Sequence, residues 1–584
     1  MTTRLPRWLQ WVGLNLVFAV CHPGLSAAWL ARAPLANSLL VNAMLFVLPA
    51  VGWAGVFQSS RRLGSRLVLC VFISAVVFLL CLTAIRALGL ELTTTLAWNA
   101  VWLVGNLGFL CAVWIGRPLV GRRSLTRREL ALGGILFFAS YGLFFWGATR
   151  VVPPQSDHDF EMQATGFALM HRLEPLLVTN RGPLYYFAHP PLLHFYVGES
   201  FLLYGKLDEL KFHDDVSRRA LAERNGLDVP PADGRTRLVN EEDAFVILDA
   251  RDGNYLLMPE HGGESRWVPQ VLAESGLTLQ RYEDNPSRLE TRTPNLFLAA
   301  VTVALLGLWV GRLSHRWWIG LLAAVAYATS PEIFVRSSYG GYFAIGVFAT
   351  IAMLLGAHGW RRRAMPTLAG AFAAVADHKL VLLPVAHGAQ LTLSWLRQWR
   401  FPRFKELLHP VVIGFALGTC VFWAYGLLIS PLDFYVDHLR HHLVNRIAHQ
   451  AWLPYSGYPT PLELWREFMV HTGYVVLPLS LGLLAYDLFV ARTRVAPHHT
   501  SSRSLWFLYV MLSATAFTVV DWRMTKHLIV LLPVLYLALA PARLAEKWRV
   551  ALPVVVMGCA ILYNVFVTGE LTRNFDSFKL VPSW

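Results

Sequence analysis

The sequence predicts an all-α polytopic membrane protein, and three observations carry that prediction. Hydrophobic residues make up 55% of the chain and charged residues only 15%, whereas an ordinary soluble domain is about 25% charged. Apolar stretches recur from end to end, about fourteen or fifteen of them reaching the ~20 residues that cross a hydrocarbon core. Aromatic residues reach 13%, with 22 Trp among them, which suits belts at the two membrane surfaces.

Taken in order, the first apolar run, Leu9 to Leu30, leads directly to another and shows no small-residue cleavage site, so it reads as a span. Runs at 37–57, 66–88, 94–116 and 129–148 follow. Charge placement orients them. The net charge is +14, and its arginines gather at alternate span ends: Arg61, Arg62 and Arg66, then Arg117, Arg122, Arg123, Arg127 and Arg128, then Arg361, Arg362 and Arg363. The loops 33–37 and 89–95 hold almost none. The positive-inside rule then puts the N-terminus in the cytoplasm, and five spans bring the chain outside near Thr149. The basic charge is a topology signal, and no nucleic-acid partner is expected. The six cysteines, Cys21, Cys70, Cys81, Cys111, Cys420 and Cys559, all fall in apolar runs and read as small fillers.

The next stretch, 150–292, is extracytoplasmic on this orientation. Residues 205–290 are rich in charge and in breakers such as Pro230-Pro231, Asp233-Gly234, Asp252-Gly253 and Gly262-Gly263. Within them Ala244 to Asp249 and Tyr255 to Met258 read as strands, Val268 to Ser275 as a helix and Leu277 to Tyr282 as another strand. A small α/β insertion is expected there, serving as a lid or docking surface.

Further along, residues 365–392 would make a single span only by burying Asp377, His378 and Lys379 at mid-bilayer. That would also put the basic loop Arg397, Arg400, Arg403 and Lys405 outside. Two short membrane segments, 366–377 and 380–396, remove both conflicts and set Lys379 at the outer surface. The loop 430–470 and Asp521 to His527 then also lie outside.

Chemistry-bearing side chains collect on that side. Asp157, Asp159 and Glu161 begin the outer loop, and His189-Pro190-Pro191 and His194 follow. Arg336, Asp377, His378, Lys379, Asp433, Asp437, Arg440, Arg446, Arg523, Lys526 and His527 come from later outer ends. Ionisable groups at helix ends near lipid are costly, which makes them functional candidates. Carboxylates and cations sharing one face suit a reaction that removes a proton and handles an anion. Alternatives stand beside this reading. Asp157 and Asp159 are also good helix N-caps, His189-Pro-Pro a turn into an amphipathic helix 192–204, and Lys379 a snorkelling lysine. Asp157-x-Asp159 could hold a divalent cation. The run His438, His441, His442 and His449 reads as a solvated interfacial helix before it reads as a metal site.

The order of these elements resembles membrane glycosyltransferases of the GT-C superfamily, closest to family 39, the protein O-mannosyltransferases and lipid A aminoarabinose transferases. Asp159 followed by Ala164, then Tyr185 through His189-Pro190-Pro191-Leu192, resembles that family's first outer loop, with His189 replacing its usual Lys or Arg. Arg292-Thr293-Pro294-Asn295 resembles its Arg-x-Pro-Ser. Trp318 to Ala324 with Ser330-Pro331 resembles its Gly-x-x-Ala-Ala…Ser-Pro span. Asp377-His378-Lys379 stands where the family has Thr-Lys between two short helices, and Lys526-His527 to Pro533 resembles its late Arg-Tyr…Pro.

The resemblance implies transfer of a sugar from a polyprenyl-phosphate donor to an extracytoplasmic acceptor, a glycolipid, polysaccharide or protein, with inversion. Asp159, then Asp157, would act on the acceptor hydroxyl. Glu161, His189, His194, Arg336, Asp377, His378, Lys379, Arg523, Lys526 and His527 would line the substrate site, and Lys379, Arg336, Arg523 and Lys526 would face the phosphate. No cofactor or resident metal is expected. The location implied is the inner cell membrane. The chain would divide into four added N-terminal helices (1–128), a first core helix with its catalytic loop (129–204) and the insertion (205–290). The remaining helices (291–569) and an outer tail (570–584) complete it. The competing class is a flippase for lipid-linked substrates or a secondary transporter; such proteins place polar groups at the midplane and show repeats, and no repeat is found here.

Overall fold

The computed structural model describes residues 7–20, 22, 33–57, 63–115, 126–152, 162, 165–166, 168–170, 173–179, 182–187, 189–205, 237–239, 244–251, 254–259, 265–269, 288–359, 364–398, 408–445, 460–489, 497–519, 525–540 and 546–573. It is predominantly helical. Among the described residues six helices are long and apolar enough to cross a membrane, or eight if two bent pairs each count as one span, and six further apolar helices are shorter.

The N-terminal helices are α1 (Arg7–Val20), α2 (Pro34–Phe46), α3 (Val51–Phe57), α4 (Leu63–Ala87) and α5 (Thr94–Trp114). The run expected at 37–57 is thus split between α2 and α3 by a turn at 47–50. Pro49 in that turn has no N–H with which to continue the helix. Helix α6 (Arg127–Trp146) starts at a capping box in which Thr126 and Glu129 satisfy each other's backbone N–H groups. It ends in a π-helical turn, Gly147–Val151.

A hairpin, β1 (Leu176–Thr179) with β2 (Gly182–Tyr185), leads to α7 (Leu192–Tyr204). Every residue from 193 to 203 of α7 is buried, so it is not the amphipathic helix that the sequence also allowed. It is closed in by the N-terminal helices on one side and the core on the other. In the insertion, β3 (Arg237–Val239), β4 (Ala244–Arg251), β5 (Asn254–Pro259) and β6 (Arg266–Pro269) form one antiparallel sheet in sequential order. The helix expected from Val268 is corrected at its start, because Trp267 and Val268 pair with Leu256 and Tyr255. Residues 270–287, with the strand expected at 277–282, lie outside the described residues.

The core continues with α8 (Arg288–Leu313), α9 (Trp317–Ala328), α10 (Pro331–Ser338), α11 (Phe343–Gly359), α12 (Ala364–Ala376), α13 (Leu382–Gln398) and α14 (Pro410–Ile429). Then come α15 (Pro461–His471), α16 (Val476–Phe489), α17 (Pro497–Val519), α18 (Leu532–Ala538) and α19 (Glu546–Arg573). Helix α19 runs past residue 570, into what was expected as tail. Helices α9 and α10 bend by 67° at Ser330-Pro331, where a proline opens the second helix. Helices α15 and α16 bend by 99°, with Gly473 at φ +93° between them, a left-handed conformation that glycine adopts without penalty. Helices α12 and α13 are separate, broken at Asp377 as the charge argument required. Helix α12 packs along α14 with backbones almost touching: a Cβ on Gly370 would overlap the Val411 carbonyl, and one on Gly414 the Thr367 carbonyl. Small residues permit such close crossings where helix association cannot draw on burial from water.

Candidate functional site

Three breaks between helices build the site. The first is the loop 339–342 between α10 and α11. Asn295 of α8 fixes that loop by donating to the carbonyls of Tyr339 (2.8 Å) and Gly341 (2.7 Å). On α10, one helical turn apart, Arg336 Nε donates to Glu332 Oε2 at 3.0 Å, and Arg336 Nη1 donates to the Tyr339 hydroxyl at 2.9 Å. Glu332 is 0% exposed. Its other oxygen lies 3.6 Å from His471 Nδ1, at the end of α15.

The second break is Asp377. Its carboxylate caps the 3-10 turn His378–Val381 by accepting the Lys379 N–H at 3.0 Å, and that turn separates α12 from α13. Lys379 Nζ turns back to Asp377 Oδ2 at 3.3 Å and sits 3.2 Å from His527 Nδ1. That contact makes Nδ1 an acceptor, so beside a charged lysine His527 carries any proton on Nε2. The third break is the short helix Thr525–Leu528 before α18, which delivers His527.

Phe343 joins these groups. The Lys379 ammonium lies 5.3 Å and the Arg336 guanidinium 5.5 Å from its ring centre, and Lys379 is also 4.8 Å from the Tyr342 ring. Aromatic faces hold cations without neutralising them. Tyr342 packs on His189, ring centres 3.8 Å apart. His189 stacks with His378 at 6.0 Å, and His378 meets His438 edge-on at 5.9 Å. His194 sits apart from the cations, with its ring against Tyr186 at 5.7 Å. The loop after β2 is tied to the segment 434–445 by Asp437 Oδ2, which accepts the Phe187 N–H at 2.7 Å.

Of the residues singled out in the sequence, His189, Arg336, Asp377, His378, Lys379 and His527 therefore come together from four separate stretches of chain. Asp157, Asp159, Glu161 and Arg523 lie outside the described residues, as does the Lys526 side chain. Arg292 bears on them indirectly. Fully buried, it donates from Nη1 to the carbonyls of Ala148 (2.6 Å) and Val152 (2.8 Å), fixing the point where the chain leaves α6 for the acidic loop.

The solvated helix expected for the histidine run is corrected at its first member. Residues 434–445 form a π-helix, a form often found at functional sites, and His438 is 2% exposed, enclosed by Phe422 and Phe434. Burial lowers its pKa to about 4, which keeps the imidazole neutral. Burial also pushes the Asp377 carboxyl above its ordinary range, opposed by the ammonium and N–H of Lys379. Glu332, His471, Asn295, Tyr339, Tyr342 and Phe343 were missed. Only the Glu332-x-x-x-Arg336 spacing was a legible signal, since side chains four apart on a helix meet.

Among the described residues no group of three or more His, Cys, Asp or Glu side chains is arranged to hold a metal ion. In comparisons with known proteins, the chain matches no family model and no curated protein.

Proposed function

We propose that this protein is a membrane glycosyltransferase that moves a sugar from a polyprenyl-phosphate donor to an extracytoplasmic acceptor. One observation supports this reading above the others: two cations, the buried Arg336 and the largely enclosed Lys379, share the Phe343 ring at the helix breaks, beside the loop that follows the acidic cluster. A departing phosphate gains negative charge, and fixed cations in a water-poor site stabilise it strongly. Asp159 deprotonates or orients the acceptor hydroxyl, Asp157 being the second candidate. The acceptor oxygen then displaces phosphate at the anomeric carbon with inversion, and the proton leaves on the carboxylate. About fourteen or fifteen membrane segments in a GT-C-like arrangement, N-terminus inside and site outside, would present this chemistry to the outer leaflet of the inner membrane.

The test is direct. The purified chain in lipid nanodiscs is given a panel of polyprenyl-phosphate sugars carrying a radiolabel, with membrane extract as acceptor. Label is expected to pass to a glycolipid, polysaccharide or protein. Passage of intact donor across proteoliposomes without transfer would replace the reading with a flippase. The orientation is tested by a cysteine at His378 in a background without other cysteines. It should react with an impermeant thiol reagent from outside, and reaction only from the cytoplasmic side would refute the topology.

A further inference from the structure

Helix α7 is enclosed by protein, yet it carries a glutamate. Glu199 is 0% exposed, and neither carboxyl oxygen has a hydrogen-bond partner among the described residues. The helices packed against α7 are α2, α4, α5, α8 and α12. Helices α2 and α12 have no ionisable side chain, and α5 has only Cys111. Helix α4 brings Arg66 and Cys70 toward its start, and Cys81 and Arg86 toward its end. The Arg86 guanidinium donates to the Met170 carbonyl at 2.6 Å. Helix α8 brings Arg288, Glu290, Arg292 and Arg312, of which Arg292 is committed to the carbonyls at the end of α6. On α7 itself stand His194, Tyr196, which donates to the Val71 carbonyl at 2.9 Å, and Tyr204, whose hydroxyl meets that of Thr293 at 3.0 Å. Among the described residues, the groups in electrostatic reach of Glu199 are Tyr196 and Cys81, and neither is a cation.

An ionised carboxylate in such surroundings loses its hydration and gains nothing in return, so the group takes up a proton instead. A fully buried acid whose oxygens find no hydrogen-bond partner among the described residues calls for an explanation, which a functional role would supply. We infer that Glu199 is a buried proton-binding site: its carboxyl is held as the neutral acid, and α7 stays seated between the N-terminal helices and α8 only in that form. The same helix bears His194 and follows directly on His189-Pro190-Pro191, so the bound proton is linked to the seating of the candidate site. This holds whether or not the protein transfers sugar.

The sign of the linkage is fixed. An unfolded glutamate loses its proton near pH ~4.3. Above that, the folded chain keeps a proton that the unfolded chain has lost, so stability falls as pH rises.

Two measurements on the full chain in nanodiscs test it. In the first, the apolar reagent dicyclohexylcarbodiimide is compared with a water-soluble carbodiimide. The acid O–H adds across the reagent's C=N bond and the adduct rearranges to an N-acylurea, so the peptide gains the whole reagent and nothing leaves. An adduct on Glu199 from the apolar reagent alone is expected, absent in Glu199→Gln. An equal adduct from the water-soluble reagent would overturn the inference. In the second, unfolding midpoints are followed with pH for the wild type and Glu199→Gln, whose amide has the shape of the neutral acid. Relative to Gln, the wild-type folding equilibrium should weaken by up to about tenfold per pH unit as pH rises above the unfolded value of about 4.3. Where no adduct forms, these curves decide: divergence supports the site, and parallel curves overturn it. A Glu199→Gln chain that fails to fold would also overturn it, since the charge would then be what the fold needs.

Discussion

Replacing Lys379 by Met removes the ammonium while keeping most of the stem, and the geometry says what else goes with it. The partner Asp377 is 2% exposed and sits 3.3 Å away. Breaking a buried pair from one side costs up to about 3–5 kcal/mol, since the remaining carboxylate is either stranded or has to take up a proton. The ring contacts with Tyr342 and Phe343 add up to ~2 kcal/mol in a desolvated place. Lys379→Met alone should therefore be markedly unstable, and its loss of activity would prove little. Removing both charges is the informative step. In Lys379→Met with Asp377→Asn no charge is stranded, and the asparagine carbonyl still caps the turn at residue 379. Such paired replacements are often neutral or even stabilising. If the ammonium stabilises a leaving phosphate, its absence should still cost about 2.7–4 kcal/mol, or 10²–10³-fold in turnover. The expected pattern is an unfolding midpoint restored to near wild type while sugar transfer stays low, and Lys379→Arg retaining part of the activity through its charge. Near-wild-type transfer in the double variant would remove Lys379 from the reaction and leave Arg336 as the described phosphate-side cation.

Asp159→Asn keeps shape but removes the base, and transfer should fall by about 10²–10⁴-fold with unchanged expression; near-wild-type turnover would shift the role to Asp157. Gly414→Leu forces a side chain into the Thr367 carbonyl and should destabilise by at least about 1–3 kcal/mol, read as a lowered unfolding midpoint. Gly388→Ala, where nothing lies within 4 Å of the new atom, is the control and should be neutral or slightly stabilising. His438 titrates near pH 6.5 when unfolded and at about 4 when folded, so between those values the unfolded chain binds the extra proton. Stability should fall as pH drops through that window, by up to about 1.36 kcal/mol per pH unit, and His438→Gln should flatten the curve; matching slopes would mean the imidazole is solvated.

What was legible in the sequence follows from where the energy lies. The long apolar helices announce themselves by composition, as Leu63–Ala87 and Thr94–Trp114 show, since each must satisfy its own backbone and meet lipid. The break at Asp377 was legible because two independent constraints met there, buried charge and loop charge. Breaks set by single prolines or by packing were harder: Pro49 splits an apolar run without altering its hydropathy, and nothing local distinguishes a buried α7 from an amphipathic one. At the site, charged residues stood out against an apolar background, so Arg336, Lys379 and His527 could be named. Their organisers could not. Asn295, Tyr342 and Phe343 carry no charge to mark them and act through tertiary contacts, such as those of Asn295 with carbonyls 44 and 46 residues on, and His438 was misassigned because four histidines at helical spacing imitate a wet helix.

The arrangement of charge bears on how an anionic donor would be received. Lys379 and Arg336 are each paired, with Asp377 and Glu332, so each cation's charge is balanced and its head group is already largely withdrawn from water. A phosphate entering beside Phe343 would compete with these carboxylates for the same donors. Glu332 has a second partner in His471 and can release part of its hold on Arg336 without being stranded. Asp377 has no such second side-chain partner among the described residues, but burial has already raised its proton affinity. As the ammonium turns to phosphate, the Coulomb attraction that kept Asp377 ionised weakens, and protonation becomes its cheapest state. Binding of the donor should therefore take up a proton at neutral pH. Calorimetric titration of a non-transferable polyprenyl phosphate in buffers of different ionisation enthalpy would measure that uptake. Uptake present in the wild type and lost in Asp377→Asn is the expected result, and equal uptake in both would place the proton on another group.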